Sequence, residues 1–163
     1  RRNTSCPAWA TPVIACLARS EATVSADDRR FLERFERCTL PASEWTHLAH
    51  IRVAWVCHSL TDPADPIERI RRGILAYNTA VLGRPEMYHD SVTVAFSMLV
   101  ADRMQDGESW AAFETRIDDL LDKKSPILLR YYSSDRLFSA EARKRFVEPD
   151  LQALPASRRA GAD

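Results

Sequence analysis

The sequence predicts an all-α fold, a single-domain compact bundle of about five to six helices. Three observations carry that expectation. Apolar residues recur three and four apart over most of the chain, the period of one helix face. Helix-capping signals fall at the ends of these stretches: Ser25 or Asp27, Ser43, Asp65-Pro66 and Gly83. No segment alternates apolar and polar residues in the way a strand requires, and there is no internal repeat or Gly-rich phosphate loop. With 163 residues, the chain is long enough to bury one core.

Taken in order, residues 1–25 read as an arm that packs on a partner or stays disordered. Its apolar run from Pro7 to Ala18 is broken by prolines, which does not suit a secretion signal, and no initiator Met precedes Arg1, as expected of a trimmed chain. Residues 26–155 read as the helical domain and 156–163 as a frayed tail. The first helix runs from Ser25 or Asp27 to about Cys38, with Phe31, Leu32 and Phe35 inward, and ends where Leu40 precedes Pro41. Ser43 caps a central helix to about Leu60. The apolar residues Trp45, Leu48, Ala49, Ile51, Ala54, Trp55 and Val56 wrap its circumference, so it is buried on several sides. Asp65 and Pro66 begin a third helix to about Leu82, which buries Ile67, Ile70, Ile74, Tyr77 and Val81. A fourth spans about Glu86 to Gln105 and a fifth about Ser109 to Lys123. Ser134 or Ser139 caps a last short helix carrying Leu137, Phe138 and Phe146.

Twenty-three basic residues balance 23 acidic ones, so nucleic acid and anionic membrane surfaces are excluded as main partners, since both demand clustered positive charge. No apolar run reaches the roughly 18–20 residues of a membrane span. Zero net charge leaves association open, as a homo-oligomer or with a protein partner. The cysteines Cys6, Cys16, Cys38 and Cys57 form no C-x-x-C pair, so a structural zinc site is not indicated. They read as reduced thiols of a cytoplasmic protein.

The chemistry centres on Glu44-Trp45-Thr46-His47-Leu48-Ala49-His50-Ile51. At helical spacing His47, His50, Ala54 and His58 lie on one stripe, which takes three of the four histidines. The fourth, His89, shares a face with Thr93, Phe96 and Val100, and Arg71 and Asn78 fall near the apolar stripe of the third helix. Neutral imidazoles suit proton transfer near pH 7. His47 or His50 is the expected base, His89 completes the imidazole set, and Asp90 orients an imidazole or anchors a substrate ammonium group. Trp45, Arg71, Tyr77, Asn78, Tyr88 and Thr93 are the expected substrate contacts. The reaction class is a small-molecule elimination, isomerisation or intramolecular displacement (cyclisation) of specialised metabolism, rather than redox chemistry, with no cofactor favoured. The runner-up is a single divalent metal on His47, His50 and His89, although neither the Glu-x-x-His of di-iron bundles nor the His-Glu-x-x-His of zinc proteases is present. A third reading is a non-catalytic ligand-binding or partner subunit of a heteromeric complex. A lone buried histidine such as His58 is more often a satisfied core residue than a catalytic one. Five buried polar groups together are harder to explain as scaffold, since each costs roughly 1–3 kcal/mol if left unpaired.

The segments Cys38-Thr39-Leu40-Pro41, Trp45-Thr46-His47-Leu48-Ala49-His50, Arg71-Arg72-Gly73-Ile74-Leu75-Ala76-Tyr77-Asn78, Tyr88-His89-Asp90 and Arg136-Leu137-Phe138-Ser139 resemble a widespread family of small helical bacterial proteins with no established activity. The resemblance covers about Phe31 to Pro155. It implies His47, His50, Tyr77, Asn78, His89 and Asp90 as a site, with Asp90 standing where the family more usually has Glu. His58 is outside the shared pattern.

Overall fold

The computed structural model describes residues 24–60, 65–124 and 126–156. The fold is all-α, with no strand among these residues. The predicted arm lies almost wholly outside the described residues, as does most of the predicted tail.

Four long helices form the body: α1 (Ala26–Glu36), α2 (His47–Ser59), α3 (Pro66–Ala80) and α4 (Asp90–Arg103). Four short ones follow: α5 (Trp110–Glu114), α6 (Asp118–Leu121), α7 (Ser134–Leu137) and α8 (Ala140–Lys144). α2 is the central element, packing on α1, α3 and α4. Its buried residues Ile51, Val53, Ala54, Trp55 and Val56 lie all round the helix, so it has no single polar face.

A capping box opens α1. The Ser25 hydroxyl accepts from the Asp28 amide and the Asp28 carboxylate accepts from the Ser25 amide. Asp28 is buried, and its charge is balanced from α2, where Arg52 donates twice to Oδ1 at 3.1 and 2.6 Å. The same guanidinium lies 4.7 Å over the Phe31 ring. At the other end Cys38 adopts a left-handed conformation (φ 56°), which lets the amides of Thr39 and Leu40 bond back to the Arg34 carbonyl.

Several expected boundaries are corrected. Ser43 does not cap α2. It lies in a separate 3₁₀ turn, Ala42–Glu44, and the cap is Thr46, whose hydroxyl accepts from the Ala49 amide at 3.2 Å. Trp45 is thereby freed from the helix, and its indole drops onto Phe35, Tyr77 and His50, with ring centroids 4.7, 4.8 and 3.8 Å away. The fourth helix begins at Asp90 rather than Glu86, because Pro85–Met87 form their own 3₁₀ turn and Tyr88 is extended. The third stops at Ala80, with Gly83 (φ 62°) reversing the chain.

The predicted fifth helix breaks into α5 and α6. The Thr115 hydroxyl donates to the Ala112 carbonyl, the Arg116 amide bonds Phe113 in a tighter turn, and the break carries Ile117 into the core. The predicted last helix also splits in two, with Ser133 rather than Ser134 capping α7 and Ser139 capping α8. Leu137 is buried there, but Phe138 is exposed. The C-terminal segment is pinned to α4 by Ser91, whose hydroxyl donates to the Arg145 carbonyl and accepts from the Val147 amide.

Gly73 is where α3 meets α1. A Cβ there would lie 2.5 Å from Cε1 and 2.8 Å from Cζ of Phe35, a ring fixed by Trp45 and Tyr77. Gly73→Ala gains about 1 kcal/mol of helix propensity and loses roughly 1–3 kcal/mol to overpacking. A net loss of up to about 2 kcal/mol is therefore expected in chemical denaturation, and a higher midpoint would refute the close approach. Cys38→Gly has the opposite expectation, a gain of about 0.5–1 kcal/mol, because glycine adopts the left-handed conformation without strain.

Candidate functional site

A pocket of about 280 Å³ opens between α2, α3 and α4. Its walls are largely aliphatic, with Ile51 and Ala54 from α2, Ile70 and Ile74 from α3, and Val92 and Val100 from α4. Phe96 and four polar residues complete it: His47, His50, Thr93 and Ser97. No Asp, Glu, Lys or Arg is among the residues that line it.

Both histidines project from the first turn of α2, where the 3.6-residue period puts positions 47, 50, 51 and 54 on one side. His47 Nε2 lies 2.9 Å from the Leu120 carbonyl oxygen, and His50 Nδ1 lies 2.7 Å from that of Thr46. A carbonyl only accepts, so these ring nitrogens carry hydrogen. In the neutral rings, Nδ1 of His47 and Nε2 of His50 are therefore left as lone-pair acceptors. Phe96 packs edge-on against His47, and Trp45 lies against the His50 ring. Burial pulls the His50 pKa down from its ordinary 6.5 to about 4, against the smaller stabilising effect of the Thr46 carbonyl. At pH 7 this imidazole is neutral.

The charged candidates assemble elsewhere, next to the pocket. Asp90 is buried at the start of α4, where its Oδ2 accepts from Arg71 Nη2 at 2.8 Å and its Oδ1 from the Tyr88 hydroxyl at 2.6 Å. Arg71 also pairs with Glu68. These bonds engage both Asp90 oxygens, neither of them with an imidazole. Burial, then the Asp90 carboxylate, hold the Tyr88 phenol well above its ordinary range, so it remains a donor. Thr93 bears on the Tyr88 phenol from the pocket side, which makes it the link between the two groups.

The other predicted residues have different places. Trp45 stands behind His50 rather than in the pocket lining. Tyr77 is fully buried, with its hydroxyl donating to the Leu40 carbonyl at 2.7 Å, and acts as core. Asn78 is buried on α3, and its main-chain carbonyl accepts from the Arg84 amide. His89 is the N-cap of α4, its Nδ1 accepting from the Val92 amide at 3.4 Å. Its Nε2 is buried without a hydrogen bond of good geometry, and burial, reinforced by Arg143, favours the neutral ring. His89 is not among the pocket residues. Among the described residues no three His, Cys, Asp or Glu side chains are placed to share a metal ion, so His47, His50 and His89 do not form the three-ligand set.

Sequence reasoning passed over Ser97, whose hydroxyl lies 2.8 Å from His58 Nε2 across the α2–α4 interface. The signal was present, since Ser97 is four residues beyond Thr93 on the same face. Comparison of the chain with protein-family models, with curated proteins and with solved structures finds no match. No helix among the described residues is long and apolar enough to cross a membrane.

A histidine whose folded pKa lies below its unfolded value stabilises the fold fully above pH 6.5. That contribution is lost as pH falls toward 4, because the unfolded chain takes up the proton first. For His50 the loss is about 3 kcal/mol. His50→Gln should flatten the stability profile between pH 6.5 and 4, and the wild-type ring should titrate near 4 in an NMR pH series. A ring titrating near 6.5 would contradict the burial.

Proposed function

We propose that this chain is a small-molecule enzyme in which the pocket between α2, α3 and α4 performs metal-free proton transfer. The observation that supports this most directly is the state of His47, a ring lining the pocket with one nitrogen held by the Leu120 carbonyl and the other an acceptor. An oriented base with a backbone partner behind it is what general-base catalysis needs. As Nδ1 takes a proton, the Leu120 carbonyl stabilises the cation through Nε2–H. His50 is too weakly basic to share that role at neutral pH and serves as a hydrogen-bond acceptor that orients the substrate. Thr93 relays the position of the Tyr88–Asp90–Arg71 group to the bound molecule. The reactions that fit are elimination, isomerisation and cyclisation by intramolecular displacement, each begun by removing one proton. A cytoplasmic enzyme of bacterial specialised metabolism is the setting we assign to it.

A second reading, a non-catalytic ligand-binding subunit, draws support from the ring N–H of both histidines being tied to backbone carbonyls, which fixes a static pair of acceptors.

One assay separates them. The protein is incubated in D₂O with a soluble metabolite extract of bacterial cells, and mass spectrometry reads new deuterium at carbon or loss of a parent mass. Wild-type protein should change a small set of compounds, and His47→Ala should lower those rates at least 100-fold, the general-base contribution being about 10²–10⁴. His50→Ala should chiefly weaken substrate binding. Unchanged turnover in His47→Ala would remove the catalytic role, and binding without any turnover in wild type would favour the subunit reading.

A further inference from the structure

The lining of the pocket constrains the kind of molecule it takes. Size comes first. A cavity of roughly 150 Å³ lined by aliphatic and aromatic side chains accommodates benzene. At about 280 Å³ this pocket has room for a body of about two fused rings. Charge comes second. No charged side chain lines the pocket, and Arg71 and Asp90, the charged residues expected to contact a substrate, bond to each other, with Glu68 and Tyr88 taking further contacts of the pair. A carboxylate, phosphate or ammonium group set against these aliphatic walls would be stripped of water with no counter-charge to receive it.

Hydrogen-bond polarity comes third. The Ser97 hydroxyl is engaged with His58, and the Thr93 hydroxyl can turn to donate or to accept, so it selects no ligand polarity. The two imidazoles are different, since each has its N–H tied to a main-chain carbonyl and the other nitrogen left as an acceptor. The unmet requirement of the pocket is for hydrogen-bond donors. An aromatic ligand also suits it, because Phe96 and the two imidazoles are among its lining residues.

We propose that the pocket between α2, α3 and α4 takes an uncharged, largely apolar molecule of about two rings that carries an O–H or N–H donor, received by His47 Nδ1 or His50 Nε2. This names the substrate class for the proton-transfer reading and rests on it for the word substrate, while the binding preference stands on the geometry of the pocket. It also defines the proton at issue. A donor O–H on His47 Nδ1 is the one that base removes, leaving an oxyanion on the ligand and the imidazolium proton directed at that oxygen.

The test uses four naphthalene probes on the full chain, read by chemical-shift changes of the Ile51, Ile70 and Ile74 methyl groups and of the histidine rings. They are naphthalene, 2-naphthol, 2-naphthoate and 2-naphthylmethylammonium. At neutral pH 2-naphthol should bind about 3- to 10-fold more tightly than naphthalene, the worth of one neutral hydrogen bond, and neither ion should bind measurably. His47→Phe or His50→Phe should bring 2-naphthol down to the affinity of naphthalene. Retained naphthalene binding in that variant shows that the pocket is intact. The inference is overturned if either ion binds as tightly as 2-naphthol, if naphthalene and 2-naphthol bind equally, or if none of the four binds. The deuterium assay fails separately: a pocket that discriminates the probes as described in a protein without turnover upholds this inference and removes the enzyme.

Discussion

The site depends on the stack of rings at the junction of α1, α2 and α3. Phe35 lies against Trp45, Trp45 against His50 and Tyr77, and Tyr77 against Phe35. Pairs of this kind contribute about 0.5–1.5 kcal/mol each beyond the area they bury. Their larger effect is geometric. The indole reaches all three partners only because Trp45 stands outside the helix, between the 3₁₀ turn and the Thr46 cap. Gly73 lets the Phe35 ring sit against the α3 backbone, and the Tyr77 hydroxyl ties α3 to the Leu40 carbonyl beyond α1. With the stack in place, His50 has one ring orientation and one backbone partner.

Much of the scaffold was legible in the sequence because helix patterning and capping are local. Ser25, Asp65-Pro66, Gly83 and Ser139 act where their chemistry says they should. The misplaced ends share one cause, a choice between two local solutions that tertiary packing decided. Ser43 and Thr46 can each cap the same helix, and the burial of Trp45 selects Thr46. The stretch from Ser109 to Lys123 has a continuous helical period, yet breaking it at Arg116 places Ile117 in the core and lets Arg116 bridge Glu108 and the Arg103 carbonyl.

The site was legible to the extent that one helix face determines it. His47 and His50 share the pocket as their spacing implies, and Thr93 faces them from α4. His89 has the same face by count, but at an N-cap position the side chain folds back on the helix's own amides, which period arguments ignore. Arg71, Tyr88 and Asp90 come together through contacts between α3 and the start of α4, which no spacing within one helix encodes. The aliphatic wall from Ile51, Ile70 and Ile74 was visible only as core, since a residue that lines a cavity and one that fills it have the same pattern.

That arrangement separates two electrostatic problems that one crowded site would merge. Had Asp90 faced His47 or His50 directly, its carboxylate would have raised the imidazole pKa and charged the pocket at neutral pH. Here the carboxylate is neutralised by Arg71 and bonded by Tyr88, and the hydrogen-bond partners of His47 and His50 are dipoles, the carbonyls of Leu120 and Thr46. A dipole fixes a tautomer without adding net charge. The two imidazoles line a largely apolar space, where a hydrogen bond is stronger than in water and an unpaired ion is strongly disfavoured. The ion pair outside holds the start of α4 in place, and so keeps Thr93 opposite the histidines, without its charge entering the chamber.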